Sequence, residues 1–442
     1  MNDHFDKDEI TDRFVSYASV FTQSEEGHTD TPSTDRQRDL ARILTKELTD
    51  MGAADVYFDE PHCYVYATIP GNIPAKEEEL AKRSDRIEKH RENMAPILGF
   101  VAHMDTVDAV PGASAVHPRV IDSYDGKDIV LNKDLGIVLS SSEYPDLTRM
   151  IGKRLVVTDG TSVLGADDKA GVVQIMEMAS FFLSHPDIPH GTLRIMFTPD
   201  EETGNGTANV DFDHFACDYA YTIDGGRIGE LEYENFNAAT AVVTITGKSI
   251  HPGSAKGVMR NACLVAMEYA ALLPALETPY YTEGYEGFYH LEEMQGVTDK
   301  AVLTYIIRDH DKGIFEHRKD VVKKAARAIN ARYGEDIVDV SLKDSYYNMK
   351  QKIEPHMHLV ENAKKAMEKV GVTPIIDPIR GGTDGCVLSY EGIPCPNLGT
   401  GGYNYHSRYE YACIDEMMQG CEILIRLGSY YASYELDEPK TH

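Results

Sequence analysis

The chain has no apolar stretch approaching the ~20 residues that a membrane-spanning helix needs. It has no CxxC pair either. Its seven cysteines are scattered and odd in number, a pattern expected of reduced thiols in a cytoplasmic protein. Basic residues are scarce: Lys and Arg total 43 against 72 Asp and Glu, a net charge of −29. That balance argues against phosphate backbones and anionic membrane surfaces, so neither nucleic acid nor membrane is expected as a partner. The opening MNDHFDKDEITDRF is polar and acidic, unlike a secretory signal or a transit peptide. Internal repeats and low-complexity segments are missing too.

What is present is enough for two domains, since 442 residues exceed one ordinary core. Leu40, Ile43, Leu44, Leu48 and Met51 share a face and predict a helix over 37–51, closed by Gly52. Two short strands are expected around Glu60-Pro61-His62. The mixed charges of 76–94 read as a solvated helical insertion. Apolar runs at 97–102, 155–157, 193–197 and 219–223 enclose a helical stretch, AGVVQIMEMASFFLS. Strands alternating with helices predict an α/β layer, a mainly parallel sheet flanked by helices. From 238 to 344 the order becomes β-α-β-β-α-β, a ferredoxin-like arrangement. The α/β style resumes with HMHLVENAKKAMEKVG and a long helix from near Cys413. The expected domains are therefore 1–236 and 347–442 as one catalytic body, with 237–346 inserted.

In FTPDEETGNG a buried strand ends in Asp200, Glu201 and Glu202, although carboxylates are costly to desolvate. Other strand ends do likewise. ILGFVA runs into His103-Met104-Asp105, and YAYTI into Asp224-Gly225-Gly226. DGTSVLGADDKAG brings Asp167 and Asp168 to the start of a helix, and NLGTGGYNYHSRYEY adds His406. Each alone reads as a turn or a satisfied polar residue. Together they gather where open parallel sheets bind ligands, beyond the carboxyl ends of the strands. Imidazole and carboxylate without thiolate suit zinc, manganese or cobalt in a hydrolytic site.

HMD, GADDKAG, FTPDEE, TIDGG and GGYNYH, in this order, resemble the dinuclear zinc aminopeptidases of the M20 family. IHPGSAKGVMRNA, EGYEGFYHL, YIIRD, DSYYNM and IRGGTDG are similar to its tripeptide-cleaving branch. The resemblance implies a zinc-peptidase-like fold whose inserted domain serves as lid and dimerisation domain, and it permits a homodimer. It implies two zinc ions, with cobalt or manganese as alternatives. His103 and Asp224 would hold one, Glu202 and His406 the other, and Asp167 would bridge them. Asp105 would orient the His103 ring, and Glu201 would be the general base. Glu201 and Glu202 need a turn to face the site differently, and Thr203-Gly204 would supply it. His251 would donate to the oxyanion. Arg308 and Arg380 would fork a substrate carboxylate, and Asn404 would contact substrate main chain. Arg308 reads equally as an ion-pair partner of Asp309 or Asp311, and Asp168 and Lys169 as support for the bridging loop. A cis bond between Asp167 and Asp168 is also implied.

The implied activity is removal of the N-terminal residue from tripeptides by a hydroxide held between the metals. Another M20 amidohydrolase, a dipeptidase or N-acyl amino acid deacylase, is the chemical alternative. An inactive metal-binding dimeric protein is the alternative of a different class.

Overall fold

The computed structural model describes residues 4–28, 30–73 and 95–433. The charged stretch 76–94 lies outside the described residues. The helix Gln37–Met51 buries Leu40, Ala41, Leu44 and Leu48 along one stripe. It ends because Gly52 takes a left-handed φ of 86°, turning its amide back to the carbonyls of Leu48 and Thr49. A helix not foreseen in the sequence, Lys7–Ala18, precedes it. The Asp6 carboxylate caps this helix by accepting the amides of Asp8 and Glu9, a contact worth about 1 kcal/mol.

The chain divides into two compact units. The first comprises 1–233, 352–376 and 383–442; the second comprises 234–351 and 377–382.

A seven-stranded sheet organises the first unit. Its order is Ala54–Asp59, Tyr64–Ile69, Leu193–Thr198, Leu98–His103, Tyr219–Gly225, Asn397–Gly399, Leu231–Glu232. The four strands from Leu193–Thr198 to Asn397–Gly399 run parallel, and the outer pairings are antiparallel. Every residue of Leu98–His103 and Leu193–Thr198 is buried, which is why these strands read as mostly apolar runs, Arg194 excepted. The helix Ala166–Ser184 packs on Leu98–His103 and against Ile414–Tyr430. Its approach to the sheet needs Gly171: a Cβ there would stand 1.8 Å from the Ile223 carbonyl oxygen.

One expected strand belongs elsewhere. Leu155–Val157 does not join the parallel sheet. It pairs antiparallel with Tyr411–Cys413 and Arg119–Ile121 in a separate four-stranded sheet. Leu155 and Val157 bury themselves in a satellite core with Leu139, Leu147, Tyr403 and Tyr411. A three-residue apolar run satisfies either sheet equally, and only its long-range partner decides.

The second unit carries the β-α-β-β-α-β run. Its antiparallel sheet has the order Phe288–Gly296, Lys300–Asp309, Asn237–Thr246, Val338–Tyr346. Alternate residues Ala241, Val243 and Ile245, with Leu303, Tyr305 and Ile307, face one core. The helices Ala262–Ala270 and Lys312–Tyr333 cover that face with Val265, Tyr269, Phe315 and Val322.

Candidate metal centre

Three parallel strands deliver polar side chains at their carboxyl ends. Leu98–His103 finishes in His103, Leu193–Thr198 leads to Glu201 and Glu202, and Tyr219–Gly225 carries Asp224. The helix Ala166–Ser184 opens beside them with Asp167 and Asp168, whose dihedrals are not yet helical and whose shared peptide bond is cis.

Here His103 and Asp167 form the hub. His103 Nε2 lies 2.9 Å from Asp167 Oδ1 and 3.4 Å from Asp224 Oδ1. The other ring nitrogen, Nδ1, lies 3.3 Å from Asp105 Oδ1 and 3.1 Å from the Asp105 carbonyl oxygen. Asp167 turns its second oxygen, Oδ2, to His406 Nε2 at 3.2 Å, and Glu202 Oε2 stands 3.0 Å from that same nitrogen. The carboxylate of Asp167 thus spans the two imidazoles. The ligand atoms of His103, Asp167 and Glu202 fall within 4.8 Å of one another, as do those of His103, Asp168 and Asp224. Asp168 is more fully committed to backbone, accepting the amides of His103 and Gly171.

The turn after the strand separates the two glutamates. Asp200 takes a left-handed φ of 54°, a 3-10 turn covers Glu201–Thr203, and Gly204 follows with a φ of 73°. The backbone therefore breaks at Asp200 as well as at Gly204. Asp105 holds this turn through its two oxygens, which accept the amides of Glu201 and Glu202 at 3.1 and 3.3 Å.

Electrostatics mark the cluster as a place for positive charge. Burial, with the charge of Asp224, pushes the carboxyls of Asp168 and Glu201 well up. Burial likewise raises Asp224 to about 7. Burial works against ionised Asp167 too, but hydrogen bonds from both histidines hold it below the usual carboxylate range. His406 is raised to about 11 by its bonds to Asp167 and Glu202. Burial opposes a charged His103, and Asp224, Asp105 and Asp167 outweigh it, lifting the imidazole well above its ordinary value. The two rings act as cations among acids, the part a metal would otherwise take.

The residues fit a metal on a second count. Glu202 Oε1 is buried and finds no hydrogen-bond partner, a costly state for a carboxylate oxygen unless a cation faces it. Two imidazoles and several carboxylates without thiolate suit zinc, manganese or cobalt.

Three further residues support this cluster: Asp200, met in the sequence only as one of the acids at a strand end, and Asp384 and Glu410, not singled out there. Asp200 accepts from the Ser33 amide, the Ser33 hydroxyl and Gln37 Nε2 at 2.6–2.7 Å, tying the glutamate turn to the start of Gln37–Met51. Asp384 accepts the Thr198 hydroxyl at 2.7 Å, and burial raises its carboxyl to about 6. Glu410 accepts the amides of Leu164, Gly165 and Asp167. Asp384 and Glu410 lie inside quoted motifs, and motif membership was the one signal available for them.

Asn404, two residues before His406, has a φ of 57° and donates Nδ2 to the Tyr409 carbonyl at 3.0 Å, closing its own loop. Lys169 is buried, and its Nζ donates to the Val20 carbonyl at 2.6 Å.

The other expected site residues belong to the second unit. His251 is exposed, and its Nδ1 accepts the Gly253 amide at 3.1 Å. Arg308 donates to the carbonyls of Ala239 and Ile307 and lies over the Tyr346 ring. Its sequence-level ion-pair partners are engaged elsewhere: Asp309 with Arg318, and Asp311 with the Ile314 amide. Arg380 gives its terminal nitrogens to Thr282, Gly284 and Glu286, with its guanidinium over Phe236 and Phe288.

Comparison with known proteins places the chain in a family. The family model described as peptidase family M20/M25/M40 matches residues 164–429. A protein named Peptidase T from Alkaliphilus oremlandii is 46% identical over 423 residues, covering 96% of this chain and 99% of that protein. A Peptidase T from Geobacillus kaustophilus is 48% identical over 421 residues, covering 95% and 98%. Among solved structures, aminopeptidase PepT from Bacillus cereus superposes with a TM-score of 0.72 at 23% identity, covering 97% of this chain and 99% of that one. The YXEP protein of Bacillus subtilis, described as a dinuclear metal-binding peptidase from the M20 family, gives 0.61 at 12% identity, covering 96% and 98%. At those identities the superpositions speak for the fold, a mixed α/β body around a mainly parallel sheet. The near-complete relatives speak for ancestry, and the resemblance read from the motifs is borne out. The chain belongs to peptidase family M20/M25/M40.

Proposed function

We propose that the protein is a metal-dependent aminopeptidase that releases the N-terminal residue of tripeptides. The observation that carries this reading is the gathering of His103, Asp167, Glu202, Asp224 and His406, with the buried Glu202 Oε1 left without a hydrogen-bond partner. The relatives named Peptidase T support the substrate class. His103 and Asp224 would hold one cation, Glu202 and His406 the second, with Asp167 shared between them. Zinc is the metal proposed, with cobalt or manganese as alternatives. Two such cations supply Lewis acidity, which lowers the pKa of water and polarises a peptide carbonyl.

The chain's own residues then divide the work. Glu201 receives the proton of the attacking water on a carboxylate oxygen and passes it to the leaving nitrogen. Its proton affinity, raised by burial and by Asp224, fits a group that must take up a proton and release it. Asp105 keeps the Glu201 amide and the His103 ring in register. The excess of carboxylates suits a substrate ammonium and disfavours an acylated amino end.

His251 as oxyanion donor, and Arg308, Arg380 and Asn404 as substrate contacts, belong to the same reading and rest on the resemblance. For Arg308, Arg380 and Asn404, it requires that they exchange some present acceptors for substrate. A lid and dimer-forming role for the second unit is proposed likewise. Among the described residues its strand Phe288–Gly296 pairs on one side only and so offers an edge. A cytoplasmic setting is proposed from the seven free cysteines.

The test is a metal-reconstituted assay of di-, tri- and tetrapeptides with free and acetylated amino ends. Free-amine tripeptides are expected to be cleaved best. Preferred cleavage of dipeptides or of N-acyl amino acids would replace this reading with another amidohydrolase. No turnover with metal bound would favour an inactive binding protein.

A further inference from the structure

Glu410 is 1% exposed, and no catalytic or ligating role falls to it. Its carboxylate nevertheless ties its own loop to the amides of Leu164, Gly165 and Asp167. Its Oε2 accepts the amides of Leu164 and Gly165 at 2.7 and 2.9 Å, and its Oε1 accepts that of Asp167 at 3.0 Å. These are the amides at the opening of the helix Ala166–Ser184. The residue at the capping position is Gly165, with a φ of 80° and no side chain to cap with. Glu410 supplies that missing cap from the far end of the sequence. It also lies four residues beyond His406, on the same loop, and its own amide bonds to the Ser407 carbonyl at 3.2 Å.

We propose that Glu410 is a positioning residue that fixes the Asp167 loop against the His406 loop, so that both imidazoles and the shared carboxylate meet one pair of cations. The inference rests on the metal-centre reading above. A side chain that accepts three amides on two oxygens orients a backbone more firmly than one acceptor with a single bond could, because each bond fixes a separate direction. Glutamine at this position keeps the volume but replaces one oxygen by an amino group. That group would meet an amide N–H donor to donor.

The experiment is a competitive zinc titration of the full chain, with metal content and cobalt absorption spectra read alongside. It uses the unaltered protein, E410Q, D167A and the double variant E410Q/D167A. Loss of a group that orients a ligand typically costs about 10–100-fold in metal affinity. E410Q should therefore weaken one of the two zinc sites by about tenfold or more and change the cobalt spectrum. In the D167A background the same change should cost less than about twofold, since the residue acts through Asp167. E410D keeps the charge but cannot reach all three amides, and should also lose affinity. It serves if E410Q does not fold. Unchanged affinity in the 410 variants, or an equal loss with and without Asp167, would overturn the inference. Failure of the unaltered chain to bind two metals would instead overturn the metal-centre reading beneath it.

Discussion

Asp105 and Glu201 are joined side chain to backbone: Asp105 Oδ1 accepts the Glu201 amide at 3.1 Å while standing 3.3 Å from His103 Nδ1. One buried carboxylate thus sets the position of the proposed base relative to a proposed ligand. The Glu201 side chain is left to its own chemistry. Glu201→Gln should keep the metals, shown by elemental analysis, and lose roughly 10²–10⁴-fold in turnover. Near-normal turnover in metal-loaded Gln variant would remove Glu201 from the role.

Asp224 differs, because its oxygen faces His103 Nε2 directly, at 3.4 Å. Asp224→Ala should lower metal content after dialysis below that of the unaltered chain. Full retention of both metals would place Asp224 outside the ligand set.

Metal uptake should release protons. Without metal, His406 is raised to about 11 by Asp167 and Glu202, so it is protonated at neutral pH. A ligating imidazole must be neutral, so binding expels that proton, and affinity should rise as pH rises from neutrality toward that value. Calorimetric titration in buffers of different ionisation enthalpy measures the release directly. Proton-neutral uptake at pH 7 would contradict the arrangement of His406 between the two acids.

Asp200→Ala should destabilise the protein by about 1–3 kcal/mol, because the part-buried donors of Ser33 and the buried amide of Gln37 would lose their acceptor. Chemical denaturation of metal-free protein reads this without interference from ligation. An unchanged midpoint and slope would show that water replaces the carboxylate there.

Arg380→Ala should weaken hydrolysis of a free tripeptide more than that of its C-terminally amidated form. Kinetics on the two substrates decide it. Equal losses would mean that its terminal nitrogens, bonded to Thr282, Gly284 and Glu286, serve only that segment.

By itself the sequence determined where chemistry would gather. Apolar runs lead into His103, Glu202 and Asp224, polar groups that are costly to bury unless paired or ligated, and the recurrence of that cost at several strand ends is legible from short stretches. The helix over 37–51 and the alternation along Asn237–Thr246 were legible for the same reason: their periods are properties of a single segment. Tertiary structure decided what depends on partners remote in the chain. Leu155–Val157 is a strand in either sheet until Tyr411–Cys413 pairs with it. Glu410 is one more acid until the fold sets it under Leu164, Gly165 and Asp167, more than two hundred residues away. Asp200 acquires its role only from Ser33 and Gln37. A hydrogen bond has a donor and an acceptor, and when they come from distant segments neither one's sequence context names the other.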